Sequence, residues 1–532
     1  MSPIELDAAA HLGFPLLRGL IAFPAAWAVL VVVLFGRDPM ARWFAAVGAG
    51  VTLFLSGVVL ALFEPGHPGL QLAERAPWMP SIGASWHLGV DGLSLPFLPA
   101  TALAALLVLV ATGDRATPRP AAFSATVLLL ESALLGVYVS QDLLLFFTFW
   151  ELSLLPVFVL GHLWGAARPR AMARVTAMLL LGGVPLLLAF LVRAGAGAAE
   201  AAALGLPGTW SFDLPALAAA PVAREAQLFV FVLLVVGLGV KVPLVPLHAW
   251  LPPVLTQGPA SLAVLVVGLK IGVYGMLRLI PTLTPGAWQE GGPVLMGLGL
   301  AGVLYGALLA LQSPDLRRLL AFSAIAHAGA AVVGLGTGSP AGLEGAVVLL
   351  TDMALSSVGL MLALSFLQDR LGSTARAALG GVAAAAPRLA GFTAVFAFAS
   401  LALPGTLGFV GELLVVGAAA TDAPWAAVGL VAGGGIGAAA LVRALAGALG
   451  GPARRPDVAH LSDLQPQETA SLGVLAVLVI TLGLAPRLLL QATHTGAAVF
   501  AGPTAPPPAA IARPRAPSPP AAAPPPLPRR PG

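Results

Sequence analysis

Long apolar runs separated by short polar segments dominate this chain, and run length is the first constraint. A helix needs about 20 apolar residues to cross the hydrocarbon core of a bilayer. Runs of that order cover 15–36, 42–62, 93–112, 121–140, 142–165, 172–193, 227–248, 259–280, 293–311, 317–336, 343–366, 390–419, 425–448 and 469–490. The pattern predicts an all-α polytopic membrane protein with about 14 transmembrane helices. Segment 63–90 is polar and carries Pro and Gly, so it reads as a loop. Segment 194–226 reads as an Ala-rich connector with some surface helix. Residues 502–532 are mostly Pro and Ala with four Arg, a composition that builds no packed core and predicts a disordered tail. The first apolar run lacks a basic leader and a small-residue cleavage site, so it is expected to be a retained helix.

Two runs carry interruptions. Helix 7 reads GLGVKVPLVPLHAWLPP, with Pro243 and Pro246 just after Lys241. Helix 12 reads LALPGTLGFVGELL, with Pro404, Gly405 and Gly408 before Glu412. Proline removes a backbone donor and clashes with the preceding turn, and in lipid the freed carbonyls must find partners in protein or water. The breaks fall at matching places in two halves, 121–280 (helices 4–8) and 293–448 (helices 9–13). Paired breaks of this kind point to an ion path in repeat-built transporters. Segment 1–112 would add three N-terminal helices and 469–490 a final one.

Composition supports this class. Hydrophobic residues are 58%, charged residues 9% and mean hydropathy is +0.94, against roughly 25% charged in soluble domains. The absence of cysteine excludes disulfides and thiolate-bound metals or clusters within the chain. The net charge of +4 reflects arginine-bearing loops rather than a nucleic-acid surface. Of 27 basic residues only two are lysine, Lys241 and Lys270, and both lie in apolar runs. Arginine keeps its charge at any working pH, while a desolvated lysine can surrender its proton. That usage points to proton handling inside a membrane.

Loop charges orient the chain. Arg37 and Arg42, Arg115 and Arg119, Arg168, Arg170 and Arg174, Arg317 and Arg318, Arg370, Arg376 and Arg388, and Arg454 and Arg455 all fall on alternate loops. The positive-inside rule makes that face cytoplasmic and places both termini on the other side. Glu131, Glu151 and His327 then sit about ten residues, ~15 Å, into their helices, Lys241 and Lys270 lie mid-helix and Glu412 lies in helix 12, so the six are expected near the bilayer midplane. A shared depth suggests charges strung along the membrane plane. His248, beside Trp250 and Pro252, is either an interface anchor or part of that line.

FFTFWELSLLPVFVLGHLWG, KVPLVPLHAWLP, GLKIGVYGMLR, SPDLRRLLAFSAIAHAG and LPGTLGFVGE resemble the antiporter-like proton-pumping subunits of respiratory complex I, subunit M (the mitochondrial ND4 type) above all, from about Gly89 to Pro486. The resemblance implies two inverted five-helix repeats and an interacting pair of a helix-5 glutamate and a helix-7 lysine, matched by Glu151 and Lys241. It implies a central lysine matched by Lys270, a helix-10 histidine matched by His327, a helix-12 glutamate matched by Glu412 and a helix-4 glutamate matched by Glu131. It further implies a subunit of a proton-translocating NADH:quinone oxidoreductase in a bacterial inner membrane, with no cofactor or metal in this chain. Its partners would be sister antiporter-like subunits and other membrane-arm subunits, the lipid bilayer, protons and internal water, but no nucleic acid. Electron transfer would then occur in partner subunits.

Departures from the family pattern stand at Pro253, Leu255 and Gln257, where polar residues are usual, and at Met353, beside Asp352, where many members have histidine. Arg317 replaces a usual lysine. These changes leave the cytoplasmic access route and the helix-11 relay open. Related subunits serve multisubunit Na⁺/H⁺ antiporters and membrane-bound hydrogenases, and a structural bridging subunit is a further alternative.

Overall fold

The structure is a computed structural model that describes residues 6, 13–111, 118–165, 169–205, 207–220 and 222–501. The expected tail, 502–532, and Arg115 and Arg168 lie outside the described residues.

The apolar runs form helices nearly where their lengths place them. The chain enters with α1 (Leu16–Phe35) and α2 (Met40–Leu62), an antiparallel hairpin β1 (Gln71–Met79) and β2 (Ala84–Val90), then α3 (Phe97–Ala111) and α4 (Pro120–Val139). Next come α5a (Leu143–Leu152), α5b (Leu154–Trp164), α6 (Pro169–Ala203), α7a (Arg224–Lys241) and α7b (Leu251–Gln257). They are followed by α8a (Ala260–Gly268), α8b (Ile271–Leu283), α9 (Pro285–Gln312) and α10 (Leu316–Gly336). Helix α11a (Pro340–Asp352) runs through a π-helical turn, Met353–Ser357, into α11b (Val358–Leu371). The chain ends with α12a (Pro387–Ser400), α12b (Leu407–Asp422), α13 (Pro424–Leu449), α14 (Pro466–Leu484) and α15 (Arg487–Ala501).

Eleven of the described helices are long and apolar enough to cross a bilayer. The remaining three of the expected fourteen miss that test for visible reasons: α3 has 15 residues, α7a is cut by its break to 18 residues that include Arg224, Glu225 and Lys241, and α12 is broken at its proline. Burial sorts the spans. The apolar window of α11 is 100% buried, whereas those of α1, α13 and α14 are 33–39% buried. Helix α11 therefore runs through the centre, with the others around it.

Two segments differ from the sequence expectations, and a third meets them. The polar loop 63–90 contains the hairpin, whose Pro77 and register shifts hide its alternation. Glu74 on β1 accepts the Leu17 N–H at 2.6 Å and the Arg18 N–H at 3.1 Å, satisfying the start of α1, where Pro15 offers no side-chain cap. The Ala-rich connector is helical in part, as expected, through the extension of α6 to Ala203 and a short helix at Leu214–Ala219. Segment 469–490 is not the last helix: α15 follows and packs beside α11a, where Thr493 and His494 meet Glu344. Leu6 pairs with Leu70 and Ala73, and Thr495 bonds the Pro65 carbonyl, so both ends of the described chain reach the hairpin side.

Glycine sets the contact between α9 and α10. Gly292, Gly299 and Gly306 on α9 face α10, where a Cβ at Gly292 would lie 2.5 Å from Gly336 O and one at Gly299 would lie 2.5 Å from Gly329 O. Backbone thus touches backbone along both helices.

Candidate functional site

Lys241 is the last residue of α7a. Pro243 and Pro246 then prevent the helix from continuing, and the Val240 carbonyl is taken by the Trp250 indole N–H at 2.6 Å. The Lys241 ammonium donates to the Trp150 carbonyl at 2.6 Å and lies 4.0 Å from the Trp150 ring centroid. Ser153 Oγ, at 3.5 Å, is at the limit of its reach. This site sits at the kink between α5a and α5b.

The next residue along, Glu151, interacts electrostatically with Lys241. The expected Glu151–Lys241 neighbourhood is therefore present, but the ammonium's direct partner is a backbone carbonyl rather than the carboxylate. Glu151 lies against Gly183 on α6, where any side chain would collide with its Oε1. That oxygen is buried without a hydrogen-bond partner among the described residues.

Lys270 was expected in the middle of a helix. Instead it stands at a break, between α8a and α8b, with no proline to mark it. Gly268 and Gly272 flank it, and each lowers helix stability by about 1 kcal/mol relative to Ala. Both glycines allow close approach. A Cβ on Gly272 would lie 2.5 Å from the Val242 nitrogen and 2.6 Å from the Lys241 carbonyl carbon, so the two breaks abut. Lys241 and Lys270 line one cavity of about 60 Å³ with Ser153, Leu134 and Trp250. The Lys270 ammonium is buried without a hydrogen-bond partner among the described residues, as are both Glu131 carboxyl oxygens.

The second interruption, between α12a and α12b, borders a larger cavity of about 390 Å³. Ser323, His327, Ser400 and Glu412 line it. His327 Nδ1 lies 2.8 Å from the Ser323 carbonyl oxygen and 3.3 Å from Ser323 Oγ, and Nε2 lies 3.0 Å from the Ser400 carbonyl oxygen. Glu412 and His327 interact electrostatically.

The candidates thus fall into two clusters, Glu151–Lys241–Lys270 and His327–Glu412. Glu131 is one helical turn from Leu134 on the first cavity wall but does not itself line it. His248 meets Tyr305 on α9 edge-to-face, ring centroids 4.8 Å apart, and does not line the lysine cavity. Asp352 was noted only as a neighbour of Met353; it is buried beside Glu412, with Ser356 Oγ donating to it at 2.8 Å. An acidic residue inside an apolar run was the available signal.

A bundle of membrane-length helices with interior charges gathered at helix breaks defines a polytopic membrane protein of the antiporter-like kind. The chain belongs to the NADH:quinone oxidoreductase/Mrp antiporter transmembrane family, whose profile matches residues 140–437. It is 32% identical to NAD(P)H-quinone oxidoreductase chain 4 of Synechococcus sp. (strain WH7803), over 91% of this chain and 88% of that one. It is 33% identical to chain 4 1 of Thermosynechococcus vestitus, over 90% and 91% of the two chains. A chain of respiratory complex I from Thermus thermophilus superposes with a TM-score of 0.81 at 31% identity, covering 91% of this chain and 99% of that one. A chain of the Mrp complex from Dietzia sp. shares the fold, with a TM-score of 0.78 at 22% identity over 91% of this chain and 52% of that one.

Proposed function

We propose that the chain is a proton-translocating membrane-arm subunit of an NAD(P)H- or NADH:quinone oxidoreductase, with redox chemistry confined to partner subunits. Glu151 modulates Lys241, Lys270 and His327 relay, and Glu412 is the exit-side group; Glu131 and His248 are peripheral members of the path. The chain spans a bacterial inner membrane fourteen times as two inverted five-helix repeats, with both termini on the non-cytoplasmic side.

One observation carries this reading: the only two lysines of the chain stand at abutting helix breaks and line one cavity, with Glu151 beside the first. A buried lysine near an ionised glutamate keeps its proton. Two unit charges ~4 Å apart interact by about 4 kcal/mol at an effective dielectric of about 20, which is roughly three pKa units. Neutralising Glu151 or drawing it away therefore releases the Lys241 proton toward Lys270. The Trp150 carbonyl accepts from the Lys241 ammonium while it is charged.

The test compares wild type with Lys241→Ala in inverted vesicles containing the whole complex, with assembly verified. Loss of pumping together with redox turnover in an assembled complex is the expected result. Unchanged pumping per electron would sink the lysine switch and leave a structural subunit as the better reading.

A further inference from the structure

Helix α11 is fully enclosed, and it carries a carboxylate that the path above does not use. Asp352 is 4% exposed. Its Oδ2 accepts the Ser356 hydroxyl at 2.8 Å. Gly408, near the start of α12b, closes on the same oxygen, so that a Cβ there would lie 3.2 Å from it. Oδ1 is buried without a hydrogen-bond partner among the described residues. A half-bonded carboxylate inside an apolar bundle costs more than a leucine of similar size would, so packing alone does not account for it.

The backbone changes character at this residue. The π-helical turn Met353–Ser357 begins directly after Asp352, and single π turns inside α-helices recur at functional sites. This turn touches both halves of the path. On one side it packs against Gly268, two residues before Lys270: a Cβ there would lie 3.6 Å from Met353 O and from Ala354 Cα. On the other side Asp352 meets the start of α12b and interacts electrostatically with Glu412. Met353, whose thioether carries no proton, is buried next to it. Each ring nitrogen of His327 lies beside a carbonyl oxygen.

We propose that Asp352 is a further proton-carrying residue, standing between the Lys270 break and Glu412; the inference rests on the proton-translocating reading above. The proton leaves the Lys270 ammonium and reaches the Asp352 carboxylate, giving a neutral amine and a neutral acid. Asp352 then passes the proton to the Glu412 carboxylate and regains its own charge. No electron moves in this step. Ser356 steadies Oδ2, and the widened turn leaves Oδ1 free to accept.

Asp352→Asn keeps the shape and removes the titration; Asp352→Glu keeps the titration. Both are measured beside Lys241→Ala in vesicles containing the assembled complex, as the initial rate of proton pumping. Expected is a loss of at least ~10-fold for Asp352→Asn, as for removal of a positioned proton carrier, with Asp352→Glu substantially active. Wild-type pumping in Asp352→Asn while Lys241→Ala fails overturns the role of Asp352 alone. Wild-type pumping in both variants overturns the proton-carrying reading itself. Failure of Asp352→Asn to assemble where Asp352→Glu assembles makes Asp352 a structural residue and overturns the proposal.

Discussion

Single side chains beside the hairpin show how polar residues hold this end of the molecule together. Asp213 receives His87 Nδ1 at 2.8 Å, lies 3.4 Å from an Arg75 nitrogen and caps a short helix through the Ala216 N–H at 3.1 Å. Burial pushes its carboxyl up, but the His87 bond and charge, the Ala216 N–H and Arg75 together outweigh that and hold it below its ordinary range. Its folded pKa is thus depressed relative to the unfolded chain. The stabilisation is complete above the unfolded value of ~3.9 and is lost as pH falls through the folded value. Asp213→Asn should lower stability at neutral pH by about 1–3 kcal/mol and flatten the acid limb. Limited proteolysis of the hairpin against pH reads both effects; an unchanged acid limb would remove Asp213 from this role.

At the scale of elements, the informative features are breaks. Those in α7 and α12 were legible because proline announces itself in the sequence. The break at Lys270 was not, since two glycines within an apolar run leave hydropathy untouched, and only the approach of another backbone shows their purpose. The hairpin was missed because Pro77 and its irregular register blur the period of two. The π turn has no compositional signature at all. The charged residues, by contrast, stood out before any fold was known, because an ionisable group in an apolar run is conspicuous; their grouping into two clusters needed three dimensions. Gly272→Ala tests the abutting breaks. Its new methyl meets backbone, which cannot swing aside, so a destabilisation of about 1–3 kcal/mol is expected. The measurement is the yield of assembled complex at rising temperature, and wild-type yield would mean the breaks have room between them.

At the scale of the whole molecule, burial separates a central helix from lipid- or partner-facing ones, and the arginine pattern supplies a direction. The absence of native cysteine makes that direction easy to test. Arg37, between α1 and α2, and Gly66, after α2, are both exposed and one span apart. In intact cells a membrane-impermeant thiol reagent should label Gly66→Cys and spare Arg37→Cys until the membrane is opened. The opposite pattern would invert the proposed orientation while leaving the fold unchanged.

The seam between α9 and α10 has an electrical consequence. Two helices in backbone contact have no slack, so His327 on α10 behaves as a fixed plate. Glu412 stands opposite on α12b, which meets its neighbours through backbone as well: a Cβ at Gly411 would lie 2.9 Å from the Leu349 nitrogen on α11a. With both plates held, the voltage across the gap answers to the protons they carry in the proposed path, not to movement. The glycines at 292, 299, 329 and 336 touch no proton, yet they hold one side of that capacitor still.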